Sequence, residues 1–268
     1  MDLASLLHAA SFRPERVVAP PSWVGHIPFA AWLMPQVGPA VFVELGTHSG
    51  NSYLAFCQSV REAGLATKCY AVDTWRGDEH SGAYAEEVFS ALNRYHEQRY
   101  AGFSQLLRTT FDEAAGHFTQ GSVGLLHIDG LHTYEAVLRD FETWLPKLSR
   151  DAVVLFHDTN VRERGFGVYR LWEELCREYP LHLEFTHSHG LGVLQLHGGD
   201  GRSRLNWLEE GSAEGKLLVD YFAGLGGYAL DSFAAESARS EAASRRRVPI
   251  GRRIKSYLKN VGRGATRA

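Results

Sequence analysis

Short apolar runs alternate with longer stretches of helical period along most of this chain. The first run, residues 40 to 45, is followed by a helical pattern over 50 to 63, and the second, 68 to 73, opens a polar loop. A helix through Glu86, Phe89, Leu92 and Tyr95 comes next, then a strand from Ser104 to Thr109 and a short helix from Phe111 to Ala115. Val123 to Ile128 is the fourth strand. It leads into a helix with Ala136, Val137, Phe141, Trp144 and Leu145 on one side and Pro146 near its end. A fifth strand, 152 to 156, and a helix over 166 to 178 precede two last strands, 182 to 186 and 191 to 197, which fold back around Ser188-His189-Gly190. Such alternation predicts an α/β fold, a Rossmann-like, doubly wound and mostly parallel sheet with helices on both faces. The closing hairpin makes the sheet mixed.

The flanks differ from this body. Leu3, Leu6, Leu7 and Ala10 have helical spacing, but Pro14, Pro20, Pro21 and Pro28 then break the pattern, so residues 1–39 read as an N-terminal cap or lid. The body runs over 40–233, and from residue 234 the composition turns to Ala, Ser and Glu and then to Arg. Residues 245–268 carry nine Lys or Arg and no acidic residue, which leaves −12 of the net −3 on the remainder. An acidic body argues against a nucleic-acid-binding face, because phosphates need clustered cations. In the tail, Ile250, Ile254, Tyr257, Leu258 and Val261 share one helical face among basic neighbours. That segment suits an anionic membrane surface, an acidic partner or a solubilising end. The sequence has no apolar run of membrane-spanning length and begins without a cationic leader, so a cytoplasmic protein, free or peripheral to a membrane, is expected. Cys57, Cys69 and Cys176 are far apart in apolar or helical contexts and read as reduced core residues.

Candidate chemistry concentrates at strand ends, where open α/β sheets bind ligands. Val41-Phe-Val-Glu-Leu-Gly-Thr-His-Ser-Gly50 turns from strand to helix, with Glu44 two residues before Gly46. A dinucleotide fingerprint has glycine there, and a carboxylate would repel a diphosphate. It suits a cationic ligand with amine and hydroxyl donors, which describes S-adenosylmethionine. Twenty-nine residues on, Asp73 ends the second strand, placed to hold ribose hydroxyls. Asp129 ends the fourth strand and His132 follows by three residues, so both can face one cavity. His132 is the expected general base, taking a proton from a hydroxyl as it is methylated. Asp129 and Asp158 lie at neighbouring strand ends and need an offset for their repulsion. A divalent cation such as Mg²⁺, with Asn160 or His157 as further ligand, would supply it, as would Arg162 or Arg164. His127 and His197, flanked by apolar residues, read as core histidines.

Val-Glu-Leu-Gly-Thr-His-Ser-Gly, Ala-Val-Asp-Thr-Trp, His-Ile-Asp-Gly-Leu-His-Thr-Tyr-Glu and Leu-Phe-His-Asp-Thr-Asn together resemble the class I S-adenosylmethionine-dependent methyltransferases. More narrowly, they are similar to the methyltransferase family 24 group, found with sugar and natural-product pathways. The resemblance covers residues 40 to 197 and implies a seven-stranded sheet whose last strand is antiparallel. It also implies that Glu44, Gly46, Thr47, Ser49 and Gly50 surround the methionine end of the cofactor. Asp73 and Thr74 would take the ribose, Thr110 and Phe111 the adenine side, and Asp129 the centre. Related metal-dependent O-methyltransferases place ligands at the positions of Asp129, Asp158 and Asn160. His157-Asp158-Thr159-Asn160 departs from their acidic pair. Trp75, His80 and Tyr84 are candidates for the acceptor wall. The expected activity is methyl transfer to a hydroxyl of a small molecule or saccharide, in glycan or natural-product assembly. A catalytically silent scaffold that binds the cofactor is the other reading, and a homo-oligomer is left open.

Overall fold

A computed structural model describes residues 2–78, 82–83, 86–197 and 205–247. The chain divides into two compact units, 1–229 and 230–268. In the first, helices α1 (Leu3–Ser11) and α2 (Ile27–Val37) precede strand β1 (Val41–Leu45), helix α3 (Asn51–Glu62) and strand β2 (Lys68–Asp73). A two-residue pair, β3 (Gly77–Asp78) with β4 (Gly82–Ala83), leads to α4 (Glu86–Arg99), β5 (Ser104–Arg108) and α5 (Phe111–Ala115). Then come β6 (Val123–Ile128), α6 (Tyr134–Trp144), β7 (Leu148–His157), α7 (Val168–Glu178), β8 (His182–Phe185) and β9 (Leu191–Gln195). Helix α8 (Ala213–Arg247) starts in the first unit, and its part from Leu230 is the described portion of the second.

The seven strands lie in the order β5-β2-β1-β6-β7-β9-β8. Six run in one direction, and β9 enters antiparallel between β7 and β8. The chain therefore starts its winding at β1 and crosses to opposite sides of it through β2 and β6. That reversal opens a crevice beyond the carboxyl ends of β1 and β6.

Strand alternation sorts the side chains of β1 between the two faces. Val43 and Leu45 enter the core formed with Val137, Phe141 and Trp144 of α6 and Leu171 and Trp172 of α7. Phe42 faces the other layer, where its ring meets Tyr53 and Phe56 of α3. Local signals end the helices: Thr110 and Glu113 form a capping box on α5, Thr133 caps α6, and Gly38 closes α2 in a left-handed conformation.

The N-terminal segment expected to be a cap contributes more than a lid. Residues 27–34 of α2 are all buried, and Trp32 and Phe29 pack on Trp207 and on Phe222 of α8. Pro28 sits in the first turn of α2, where its missing N–H has no bond to lose. β7 runs from 148, four residues earlier than its apolar pattern suggested. The amphipathic residues 250–261 fall outside the described residues. No helix among the described residues is long and apolar enough to cross a membrane.

Candidate active site

A cavity of about 690 Å³ opens at the strand ends. Gly46, His48, Asp73 and Thr74 line it after β1 and β2, and Thr110 and Phe111 line it after β5. Asp129 to His132 follow β6, and His157, Asp158, Val161, Glu163, Arg164 and Phe166 come from the end of β7 and its loop. Pro20 and Ser22 close it from the N-terminal segment and His189 from the β8–β9 turn.

Asp73 ties two of these loops together. Its carboxylate accepts from the backbone N–H of His48 at 2.8 Å and of Trp75 at 2.7 Å. Burial raises the Asp73 pKa against these bonds. A carboxylate has about four acceptor sites, so the side chain can still accept from a ligand hydroxyl.

Gly46 has φ 87°, and a Cβ there would lie 2.0 Å from the carbonyl oxygen of Asp129. Only glycine lets the β1 and β6 loops approach this closely.

Glu44 does not belong to the cavity. It is the penultimate residue of β1, so its side chain leaves perpendicular to the sheet, whereas Asp73, Asp129 and Asp158 stand at or beyond the strand tips. Glu44 pairs in register with His127 of β6, and His127 Nδ1 lies 2.9 Å from its carboxylate. Trp23 Nε1 donates to His127 Nε2 at 3.2 Å. An indole N–H can only donate, so Nε2 accepts and the imidazole proton sits on Nδ1, facing Glu44. His127 is thus a core histidine as expected, and burial raises the Glu44 pKa despite hydrogen bonds from His127 and Ser52. His197, expected alike, is exposed.

Other expected positions shift for comparable reasons. Thr47, Ser49 and Gly50 are buried and do not line the cavity. Ser49 accepts from Arg16 through its carbonyl, and a Cβ on Gly50 would meet Leu92 at 2.6 Å. Trp75 is buried, packs at a tilt on Phe89 and donates to the His48 carbonyl at 2.8 Å, so it braces the wall from behind. His80 and Tyr84 lie outside the described residues.

Two carboxylates and two imidazoles form the centre. His157 Nδ1 lies 3.1 Å from both Asp129 Oδ1 and Asp158 Oδ2, and its Nε2 lies 3.2 Å from the Ser188 carbonyl. A carbonyl only accepts, so both ring nitrogens donate and His157 is an imidazolium. Burial opposes that charge, but Asp129 and Asp158 outweigh it and hold the His157 pKa well above the usual value. His132 Nε2 lies 2.8 Å from Asp158 Oδ2 and 3.6 Å from Asp129 Oδ1. Burial again opposes, and the same two carboxylates raise its pKa to about 9. In return, and against their own burial, both carboxylates are held below the normal range by the histidines.

The arginines expected to offset these acids do not reach them. Arg162 pairs with Glu173 and Arg164 with Glu163, all exposed. Asn160 is exposed too, and its amide Nδ2 donates to the Thr186 carbonyl. Donor atoms of Asp129, His132 and Asp158 do lie within 4.8 Å of one another, as do those of His157, Asp158 and His189. Such mixed nitrogen and oxygen sets suit a borderline transition ion better than Mg²⁺.

Residues 43–159 match a family model described as a methyltransferase domain. That stretch holds Glu44, Asp73, Asp129, His132 and Asp158, and it bears out the resemblance read from the sequence. An uncharacterised protein of Sinorhizobium fredii, y4gI, is 53% identical over 173 residues, which is 65% of this chain and 19% of that protein. The chain thus spans about a fifth of that relative's length. Among solved structures, one from Staphylococcus aureus assigned as a caffeoyl-CoA O-methyltransferase aligns with TM-score 0.50 and 12% identity, covering 68% of this chain and 85% of that one. Another, the methyltransferase PaMTH1 of Podospora anserina bound to S-adenosylhomocysteine, aligns with TM-score 0.49 and 13% identity, over 72% and 87%. The first of these, at 12% identity, shows the fold alone, a Rossmann-like mixed sheet.

Proposed function

With a methyltransferase domain matched over residues 43–159, we propose that this chain transfers the methyl group of S-adenosylmethionine to a hydroxyl of a small-molecule or saccharide acceptor. The observation that carries the proposal is one continuous cavity with Asp73 at one side and the Asp129, His132, Asp158 and His157 cluster at another. Asp73 accepts from the ribose hydroxyls. Phe111, Gly130 and Leu131 offer a flat, weakly polar wall to the adenine.

Methyl transfer is an in-line displacement, so rate comes from aligning the acceptor oxygen with the sulfonium methyl and from removing its proton. His132 is the base, and Asp158 and Asp129 orient its ring and stabilise the imidazolium that forms. His157 keeps those two carboxylates together without a second anion's repulsion. A divalent ion, where bound, would be held by Asp129, His132 and Asp158 and would acidify the acceptor hydroxyl. Because His157 already gives the carboxylates a cationic partner, we expect turnover to survive chelation.

The test is turnover of methyl-labelled cofactor against a panel of sugars and phenols, with binding of S-adenosylhomocysteine measured in parallel. His132→Ala should bind the cofactor product with unchanged affinity and lose about 10²- to 10⁴-fold in kcat. Cofactor binding without turnover by the native chain on every acceptor would favour the silent scaffold instead.

A further inference from the structure

We propose that Phe166 is a positioning residue whose ring clamps the His132 imidazole from one face. The inference rests on the reading of His132 as the base. The ring torsion of a histidine is broad and two-fold, so a hydrogen bond at one nitrogen leaves the plane free to swing. In this chain the plane is set from outside. The rings of His132 and Phe166 lie 4.5 Å apart and 3° from parallel.

The loop that carries Phe166 is fastened to the backbone of His132 as well. Gly167 N–H donates to the His132 carbonyl at 2.7 Å. A Cβ on Gly167 would fall 2.4 Å from the backbone nitrogen of Tyr134, so glycine is required for the loop to come this close. The clamp therefore grips His132 at its carbonyl and at its ring.

An imidazolium on an aromatic face is also favoured electrostatically, so the stack holds as the base takes up its proton. Val161, Glu163 and Arg164 of the same loop line the cavity. An acceptor entering the cavity thus touches the segment that aims the base, which links acceptor shape to the alignment of His132.

Phe166→Ala, Phe166→Leu and Phe166→Trp in the full chain test this, with melting temperature checked for each. The alanine variant should bind S-adenosylhomocysteine within about 2-fold of the native chain, because the Phe166 ring packs on His132 rather than beside Asp73. Its KM should change little while kcat falls about 10- to 100-fold, the cost of a base misplaced by about 1 Å. Tryptophan should restore most of the rate and leucine should not, since the flat face is what orients the ring. Unchanged kcat in the alanine variant, or equal rescue by leucine, overturns the proposal. Histidine ring signals in NMR, assigned through His132→Ala, give a second arm that needs no acceptor. The His132 signals should move in Phe166→Ala, and their staying in place also overturns the clamp. A native chain that turns over no acceptor defeats the methyltransferase reading instead, and the NMR arm still decides on the clamp.

Discussion

Replacing Asp158 by asparagine keeps the shape of the centre and removes one of the two anions that both imidazoles share. His132 sits at about 9 against an ordinary 6.5, a preference of roughly 3 kcal/mol for its charged form. Asp158 is the nearer partner, at 2.8 Å against 3.6 Å for Asp129. Its loss should lower the His132 pKa by about one to two units. The base works in its neutral form. In the native chain kcat/KM should therefore rise with pH and level off above about 9, and in Asp158→Asn it should level off one to two units lower, on a reduced plateau. The limb in kcat should lie below that in kcat/KM, because the bound sulfonium cation disfavours the imidazolium.

Stability moves with the same group. A raised folded-state pKa contributes stability that is complete below the ordinary value of 6.5 and fades as pH rises through about 9. Asp158→Asn should thus lose up to about 3 kcal/mol in the neutral range, with a smaller deficit above the fading point. Rate profiles with methyl-labelled cofactor and urea unfolding at several pH values measure both effects. An acid limb that stays in place or moves upward would refute the assignment of His132 as a base tuned by Asp158.

Asp73 and Glu44 should behave differently when neutralised. Asp73→Asn should weaken S-adenosylhomocysteine binding about 10- to 100-fold, the worth of charge-assisted bonds to ribose hydroxyls. Glu44→Gln should leave that affinity within about 2-fold and change stability by less than about 1 kcal/mol, since burial already favours a neutral group there and the His127 proton can be accepted by the amide oxygen. Calorimetry with denaturant unfolding checks both, and equal losses of affinity would contradict the placement of Glu44. Gly46→Ala should cost about 3 kcal/mol or more, from a left-handed residue forced against the Asp129 carbonyl; a drop in melting temperature of only a degree or two would show that the loops can part.

Where apolar runs were short and bounded, the sheet was legible in the sequence. The strand from Val123 to Ile128 and the short helix from Phe111 carry their own start and stop signals. The same alternation explains the misplaced Glu44. Counting from Phe42 and Val43 puts residue 44 on a face of the sheet, and the residues that line the crevice stand at or past the last strand position. Helix α2 was hidden because it is apolar nearly all round and carries Pro28 and Pro35, which read as breaks. Helix α8 was hidden by Gly224, Gly226 and Gly227. A Cβ at Gly226 would meet the Gly25 carbonyl at 2.3 Å, a long-range need that no local pattern encodes. Pairing at the centre was foreseen in kind, a cation for two acids, but His132 and His157 supply it in place of Arg162 and Arg164. Phe166 sits among Arg, Glu and Gly, so its role is visible only once the loop is folded onto His132.

Calorimetric titration of the native chain and Asp73→Asn with S-adenosylhomocysteine tests most directly whether the strand-end cavity is a cofactor site. One equivalent should bind the native chain with a clear heat and raise its melting temperature, and the variant should bind about 10- to 100-fold more weakly. No binding by the native chain, or equal binding by both proteins, would contradict it.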